Sequence, residues 1–333
     1  MAIEIGTVNV DTSVKLGTTV INTGYIGLNK FFGNEIPILD IFPTAHHAYS
    51  LRKLRSAYTG FSLRVRRTAI TSTEVNVSFD SNNTISLNSP ITYASGTATT
   101  ATTLGQFAAI AGYGTADSGV TANQNIFVVT WYDQSGNNKN PTQTTAGNQP
   151  RLVSSATADL EKSGGKVAVR FIKSASNFLN IADTTANINN MSSYWVGQYA
   201  TTITNNIGYS LSGGNTTDRF YFPAINSGVS SGIYSAYAST ILAVLLDNVI
   251  NTDRKLFEII SPLPGSTTLI QGWTNGTSKG TRAISSGATA TITLGATNTA
   301  NSFDGYIQEV IGYQSNANRL EKETNINSYW TIY

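Results

Sequence analysis

The residues with the clearest potential for chemistry follow an apolar strand in the string VTWYDQSGNNKNPTQ, residues 129–143. Asp133 and Gln134 stand at the strand exit, where an enzyme can keep a catalytic group and a lectin can keep groups that bind sugar hydroxyls. The same residue types suit a tight turn, because Asp133 and Ser135 can bond backbone N–H groups two residues on, and Gly136 tolerates positive φ. We interpret this string as a fold-defining turn, with ligand contact as the alternative.

Two histidines, His46 and His47, are the other candidates for acid–base chemistry. The segment 44–59, TAHHAYSLRKLRSAYT, predicts a helix that ends before Gly60 and places both imidazoles on the surface in its first turn. A general base would also need a nucleophile and an orienting carboxylate, and no sequence pattern supplies them. With no cysteine and only two histidines, we expect no metal site and no cofactor.

The composition is that of a β-protein with few charges. Charged residues make up 12% of the 333 residues and the net charge is +2, which gives no electrostatic basis for binding nucleic acid or an anionic membrane. Thr, Ser, Asn and Gly supply the polarity instead, and they favour strands and turns. We find no signal peptide and no apolar run near the ~20 residues that span a bilayer, so we expect no membrane insertion.

Residues 1–43 predict short strands and a separate N-terminal β segment. The string LGTTV, residues 16–20, is echoed ten residues later by IGLNK, residues 26–30. A repeat of strand, Gly turn and strand can build a small β-meander, and coincidental Gly turns are the alternative. A unit of this size cannot bury its own face, so we expect residues 1–43 to dock on another surface.

Residues 44–333 alternate short apolar strings with Gly- and Asn-rich turns and show no βαβ alternation. The string FSLRVRR at 61–67 alternates apolar and polar residues, which is typical of a half-buried strand with a basic outer face. The longest apolar run, STILAVLLDNV from Ser239, predicts a central strand. We therefore predict an all-β fold, an antiparallel jelly-roll sandwich of two sheets.

Two or three short helices are expected at the periphery of this sandwich. Besides the helix at the histidine pair, the string TTLGQFAAIAG at 102–112 predicts one. Another lies near the end of the sequence, where Asn316 or Asn318 could cap it and Leu320 and Ile326 would face inward.

Several stretches of the sequence together resemble known families. The strings AYSLRKLRSAYTGFSLRVRR, from Ala48, and VTWYDQSGNNKNPTQTTAGNQPRLV, from Val129, resemble the catalytic sandwich of the arabinofuranosidase B family. VAVRFIKSASNFLNI and the ending FDGYIQEVIGYQSNANRLEKETNINSYW resemble concanavalin A-like, laminin-G-type jelly rolls. The same arrangement, and the LGTT start with its YIGLNKFFG echo, resemble bacteriophage virion proteins. The resemblance implies a concanavalin A-like sandwich over most of residues 44–333.

The resemblance to a glycosidase lacks one key residue. In the arabinofuranosidase B family the nucleophile is a Glu in a Gly-Asn-Ala-Glu-Thr-like string downstream of the turn. The nearest counterpart here, LSGGNTTDRFYF at 211–222, has Thr216 or Thr217 near that place, and no Glu occurs between Glu161 and Glu258. A retaining glycosidase needs two carboxyl groups about 5 Å apart, so we expect no enzyme activity.

Three aspartates are the only candidates for a divergent carboxylate pair. Asp218 is the carboxylate nearest to the missing Glu, and pairing with Arg219 or capping a turn explains it equally well. Asp247 and Asp253 match the family's acid/base Asp by position only. A glycoside hydrolase of this type is therefore kept as an alternative to a non-enzymatic protein.

The first functional hypothesis is a structural virion protein, such as a head fibre, a capsid decoration or a tail-associated subunit. Residues 1–43 would dock on other virion proteins, and the sandwich would be exposed. The absence of cysteine and of a signal peptide fits a protein made in the host cytoplasm and carried on the virion. By analogy with fibre and decoration proteins we expect a homo-oligomer, in particular a trimer.

The second hypothesis is a carbohydrate-binding, lectin-like module, which is compatible with the first if a virion protein binds host-surface polysaccharide. Exposed aromatic rings would stack on sugars, and the candidates are Trp273, Tyr209, Tyr221 and Tyr237. Trp273 precedes the polar string TNGTSKG at a strand end and is the best exposed candidate, whereas Trp195 is expected in the core.

Overall fold

The computed structural model describes part of the chain in full and part by backbone only. Side chains are described in residues 36–69, 72–183, 190–200, 252–261, 269–281, 291–295 and 303–333. Between residues 14 and 33, between 206 and 247, and at 282–283, the strands are described by their backbone. Among the described residues, no helix reaches the length and hydropathy that a membrane crossing requires.

The first sheet is antiparallel and has 13 strands. Eleven follow one path, in the order β24 (Thr277–Ala283), β23 (Leu269–Thr274), β22 (Lys255–Ser261), β16 (Met191–Tyr199), β26 (Gly305–Tyr313), β14 (Val169–Phe171), β10 (Arg151–Ser154), β9 (Ile126–Trp131), β6 (Leu63–Arg67), β7 (Glu74–Val77) and β8 (Ile91–Ser95). Off this path, β11 (Asp159–Leu160) pairs with β10, and β5 (Ala45–Ser50) pairs with β26.

The second sheet has seven strands. Their order is β15 (Leu179–Ala182), β25 (Thr291–Leu294), β18 (Tyr209–Ser212), β19 (Arg219–Asn226), β20 (Ser230–Tyr237) and β21 (Thr240–Asp247), with β17 (Asn206–Ile207) beside β19. The apolar run from Ser239 forms β21, which ends this order, so its prediction as a central strand is wrong.

Short elements complete the fold. The hairpins β1 (Val14–Leu16) with β2 (Thr19–Ile21), β3 (Thr23–Ile26) with β4 (Asn29–Gly33), and β12 (Lys162–Ser163) with β13 (Lys166–Val167) each form a two-stranded sheet. The helices are α1 (Ile38–Ile41), α2 (Leu104–Phe107) and α3 (Arg319–Trp330), with 3₁₀ turns at 146–148 and 173–175. This is the predicted all-β, concanavalin-type antiparallel sandwich with few helices.

The main core lies between the two sheets. Alternate residues of the first sheet point into it, and Trp131 and Trp195 are fully buried there, as the sequence predicts for core aromatics. From the second sheet, Leu179, Ile292 and Leu294 enter the same cluster. Burial of side chains of this size contributes about 1.5–3 kcal/mol each, so this layer is the principal stabilising element.

A second core covers the outer face of the first sheet. Helix α3 places Ile326 and Trp330 on it, and α1 adds Ile38 and Leu39, all four nearly or fully buried. Asn318 stands at the N-terminal cap of α3, and Ile326 faces inward as predicted. Leu320 is 53% exposed, because the face of α3 that meets the sheet begins with the polar residues Lys322 and Glu323.

The predicted helix over residues 44–59 is wrong. Its first half is the strand β5, which pairs with β26 through the partners Glu309 to Tyr313 and is buried along its whole length. The helical spacing of Leu51 and Leu54 does not mark one face, since Leu51 enters the core between the sheets and Leu54 the core under α3. Pairing with the central strand therefore overrides local helix propensity.

Of the two arginines that the alternation predicts on a basic outer face, Arg64 keeps 31% of its side chain exposed and Arg66 is buried. Arg66 is 6% and Arg67 1% exposed. Arg66 stacks over Phe127, with 4.5 Å from its guanidinium carbon to the ring centroid, and Arg67 donates to Asp117 over 2.7 Å. These arginines find partners inside the fold and contribute little charge to the surface.

The ion pair of Arg52 with Glu309 sits at the centre of the outer face. Nε of Arg52 donates to one carboxylate oxygen over 2.8 Å and Nη2 to the other over 3.0 Å, and both side chains are almost fully buried. Ser50 adds a hydroxyl donor at 2.7 Å. Arg52 also donates to Asn325 of α3 and stacks on Tyr329 at 4.5 Å, so this pair joins β26, the end of β5 and α3.

The N-terminal strands form two hairpins of the same size as the predicted repeat. Their paired strands are separated in sequence by Gly17-Thr18 and by Gly27-Leu28. Each hairpin forms its own two-stranded sheet, so the predicted single meander is replaced by two units. Among the described side chains, Ile38 and Leu39 of α1 belong to the core under α3, so the packed body includes residues that precede the predicted boundary at residue 43. The division into an anchor and a sandwich stays a prediction.

Candidate functional site

The Asp133 carboxylate is saturated by protein donors. Its Oδ1 accepts the N–H groups of Ala48 at 2.8 Å and Ser135 at 2.9 Å. Its Oδ2 accepts the Ser135 hydroxyl at 2.7 Å and the Lys139 N–H at 3.1 Å. Burial raises the pKa of Asp133, and the hydrogen bonds from Ser135, Lys139 and Ala48 oppose that shift. The side chain thus joins the exit of β9 to the neighbouring strand β5.

Gln134 is used in the same way. This side chain is 1% exposed, its Oε1 accepts the Leu54 N–H at 2.8 Å, and its Nε2 donates to the carbonyl oxygens of Ser50 and Arg52. Gly136 has φ of 93°, a conformation that L side chains rarely adopt. The turn therefore fixes the irregular segment that follows β5.

A cluster that the sequence did not reveal lies beside this turn. His46 and His47, predicted on the surface, are 8% and 0% exposed. A β-bulge explains their proximity: Gly312 pairs with His47 and Tyr313 with Ala45, which makes His46 the extra residue. A bulge re-aims side chains, and here the two Nδ1 atoms lie 3.0 Å apart.

Asp183 and Lys139 complete the cluster and connect the two sheets. Asp183 directly follows β15 and accepts the Lys139 ammonium at 2.7 Å, with His46 Nε2 at 3.5 Å. Burial lowers the pKa of His46, against the opposing charge of Asp183. Burial and the neighbouring His46 lower the pKa of His47 to about 3. At pH 7 the cluster therefore holds a neutral imidazole at His47 beside a lysine–aspartate ion pair.

This cluster has the base and the orienting carboxylate of a catalytic triad and lacks the third member among the described residues. Ser193 stands in the same cross-strand row as Gly312 and His47, but its hydroxyl has no hydrogen-bond partner. The His47 ring lies over Gly312, where a Cβ would come within 2.3 Å of it. Within the described part of the chain, no three His, Asp or Glu side chains converge in a way that could hold a metal ion.

Trp273, the best exposed aromatic candidate from the sequence, is 9% exposed and belongs to β23. The guanidinium of Arg319 lies 4.6 Å above its ring. The prediction of an exposed ring is wrong, because the start of α3 folds over the strand end. A sugar could not stack on this ring without displacing Arg319.

Arg319 also holds two buried carboxylates against each other. It donates to Glu258 of β22 over 2.7 Å and to Glu323 of α3, which in turn accepts the Tyr333 hydroxyl. Burial and the neighbouring Glu323 raise the pKa of Glu258 to about 8, against the effect of Arg319. This is a carboxylate pair, but Glu258 is 0% exposed and α3 seals it.

The other candidates fall outside the described side chains. Tyr209, Tyr221 and Tyr237 lie in β18, β19 and β20, and Asp247 ends β21, all described by backbone alone. Thr216, Thr217 and Asp218 lie outside the described residues. Asp253 is exposed in the segment before β22.

All buried carboxylates of the described residues are matched by a cation or by a turn. Asp133 is bound by its turn, and the remaining seven pair with arginine or lysine: Asp117 with Arg67, Glu161 with Arg151, Asp183 with Lys139, Glu258 and Glu323 with Arg319, Asp304 with Arg170, and Glu309 with Arg52. Ion pairs of this kind position helices, strands and turns.

Comparisons with known proteins bear on the fold. No protein-family model matches the sequence, and no curated protein sequence is similar to it. Two solved structures of a GH54 α-L-arabinofuranosidase are similar, one of a point mutant soaked with 4-nitrophenyl α-L-arabinofuranoside (TM-score 0.54, 14% identity) and one soaked with a cyclic sulfate inhibitor (TM-score 0.52, 15% identity). Each match covers 87% of this chain and 64% of the other, so the chain spans less than two thirds of those enzymes.

A shorter match covers 50% of this chain and 80% of domain 4 of AbnA, a GH43 extracellular arabinanase from Geobacillus stearothermophilus in complex with arabinotriose, with a TM-score of 0.42 and 14% identity. The two arabinofuranosidase matches, at 14% and 15% identity, show the fold alone, and that fold agrees with the concanavalin A-like sandwich that the sequence resemblance implies.

Asp133→Asn should lower the free energy of unfolding by about 1–2 kcal/mol, because the new amide group faces the Lys139 N–H and leaves this partly buried donor without its acceptor. Urea unfolding measures this, with Glu321→Gln on the exposed side of α3 as a control that changes little. Unchanged stability together with lost sugar binding would assign Asp133 to a ligand.

Stability should fall as pH rises from about 5 to 8 because of Glu258. Its pKa is raised from 4.5 in the unfolded chain to about 8 in the fold, so folding favours the neutral acid, and the stabilisation is lost as pH rises towards the folded pKa. The loss is at most about 4 kcal/mol. Urea unfolding at pH 5, 6.5 and 8 should show a flatter profile for Glu258→Gln, and identical profiles would contradict the assignment.

Proposed function

We propose that this chain is a non-enzymatic structural component of a bacteriophage particle, with an exposed sandwich that binds host-surface carbohydrate. Its N-terminal hairpins dock on other virion proteins of the capsid or tail, and the chain acts as a homo-oligomer, a trimer by analogy with fibre and decoration proteins. It is made in the host cytoplasm and carried on the virion. The head fibre, capsid decoration and tail-associated roles share this arrangement.

The observation that supports this proposal is the pairing of the N-terminal strands. The strands between residues 14 and 33 pair only within their own hairpins among the described strands. A two-stranded hairpin is marginally stable in water, so it needs a surface that covers one of its faces. A virion offers such a surface, and the LGTT start of the chain resembles phage structural proteins.

The contacts of the buried carboxylates among the described residues support a non-enzymatic role. Each of them is held by an arginine, a lysine or the Asp133 turn. The sealed pair of Glu258 and Glu323 shares one guanidinium under α3 and is closed to a substrate. The family Glu that would act as nucleophile has no counterpart in the sequence.

The fold supports the carbohydrate part of the proposal. The similar structures are an α-L-arabinofuranosidase, whose substrates are sugars, and the sequence resembles the arabinofuranosidase B family in the same region. A sandwich of this type that has lost its catalytic carboxylate keeps a scaffold on which aromatic and polar groups can bind sugars.

A glycoside hydrolase is the second candidate, because the sequence contains Asp218 near the position of the missing Glu and Asp247 at the end of β21. Incubation of the full chain with 4-nitrophenyl α-L-arabinofuranoside should release no 4-nitrophenol above the buffer rate. Turnover that Asp218→Asn or Asp247→Asn abolishes would establish the hydrolase and overturn the non-enzymatic assignment.

Deletion of residues 1–35 should leave the sandwich as stable as the full chain and prevent its incorporation into particles. Incorporation is measured by mass spectrometry of purified particles after complementation, and stability by urea unfolding. Normal incorporation of this variant would contradict the docking role.

Deletion of residues 1–43 is the matched control. It also removes Ile38 and Leu39, which are 0% and 1% exposed, and should lower the free energy of unfolding by about 3–6 kcal/mol. Equal stability of the two deletions would show that α1 is not part of the packed body.

A further inference from the structure

A cleft of about 400 Å³ opens between the end of α3, the β11–β13 segment and the loop at 84–87. It is separate from the Asp133 turn and from the histidine cluster. Its volume falls in the range of roughly 300–1,000 Å³ that is usual for small-molecule sites. It has room for one or two sugar rings.

The walls of the cleft are apolar and its edge is polar. Leu87, Leu160 and Val167 line it and are at most 8% exposed. Trp330 also lines it, fully buried, and its indole Nε1 has no hydrogen-bond partner.

Tyr113 supplies an aromatic face to the cleft. A Cβ placed on Gly105 would lie 2.5–2.8 Å from Cγ, Cβ and Cδ1 of Tyr113, so the base of this side chain packs against Gly105. The side chain is nevertheless half-exposed and lines the cleft. Tyr113 is therefore held at its base by Gly105 and contributes an aromatic side chain to the lining of the cleft.

An ion pair stands at the edge of the cleft. Lys162 donates to Asp159, and the side chains are 45% and 42% exposed. Asp159 also accepts the Leu160 N–H at 2.7 Å, which fixes the carboxylate. An ionised carboxylate has about four acceptor sites, so Asp159 can accept sugar hydroxyls while it keeps these partners.

We propose that this cleft is a saccharide-binding site that takes one or two rings of a neutral sugar, with the ring stacked on Tyr113 and its hydroxyls bound by Asp159 and Lys162. Aromatic faces carry negative potential, which attracts the C–H groups on one face of a pyranose or furanose. The inference rests on the proposed carbohydrate-binding function and locates the binding site in this cleft. None of the aromatic candidates from the sequence, Trp273, Tyr209, Tyr221 and Tyr237, is among the lining residues.

The experiment uses the full chain and a defined panel of L-arabinose, D-glucose, D-galactose, N-acetylglucosamine and their disaccharides. Binding is measured by saturation-transfer NMR and by the tryptophan fluorescence to which Trp330 contributes. Tyr113→Ala should weaken binding about tenfold, the loss of one stacked ring, whereas Tyr113→Phe should stay within about twofold. Asp159→Asn should weaken binding about three- to tenfold.

Tyr93→Ala, at an exposed tyrosine on β8 away from the cleft, is the control and should bind as the unaltered chain does. Urea unfolding of each variant separates lost binding from lost folding. If sugars bind and folded Tyr113→Ala binds them equally well, the cleft is not the site, although carbohydrate binding stands. If no sugar of the panel binds, and a glycan array is also negative, the carbohydrate-binding function itself fails.

Discussion

The structure depends on one constraint: each buried carboxylate must be compensated by a cation or by hydrogen bonds from the protein. A carboxylate inside a protein is tolerated only when cations and hydrogen bonds replace its water. The bidentate pair of Arg52 and Glu309 meets that requirement in the middle of β26, the strand that pairs with β16, β14 and β5. Because Arg52 also contacts Asn325 and Tyr329, the same pair places α3 over the outer face.

This constraint also bears on the non-enzymatic role that we propose. In a glycoside hydrolase the catalytic carboxyl groups must be able to donate a proton, accept one or act as a nucleophile. The buried carboxylates described here are instead engaged by fixed partners. The Asp133 turn is the clearest case, since four donors surround a group that the sequence alone presents as chemically poised. For a chain that acts by recognition, as we propose, aromatic rings and half-exposed polar groups would supply the contacts.

The sequence was sufficient for the class of fold and for several of its elements, and insufficient for the position of the functional groups. The period-two alternation at 61–67 and the apolar string before Asp133 predict β6 and β9 correctly, because these signals are local. The strand β5 was mistaken for a helix, since its pairing with β26 joins residues far apart in sequence. The burial of Trp273 depends on Arg319, and the approach of His46 to Asp183 depends on a bulge, so neither could be read from neighbouring residues.

The place of β26 in the sequence has a consequence for how the molecule is made. The strand occupies the middle of the first sheet, yet all of its partners precede it by many residues in the sequence. Of these partners, β5 comes early in the sequence of the sandwich and β16 comes near its middle. Until residues 305–313 have been synthesised, the edges of β16, β14 and β5 that it will join lack their hydrogen-bonding partner. Such non-local pairing folds slowly and leaves unpaired edges exposed to other chains. The sandwich is therefore expected to close late, after most of the chain is synthesised, and to be most vulnerable to aggregation just before its central strand arrives.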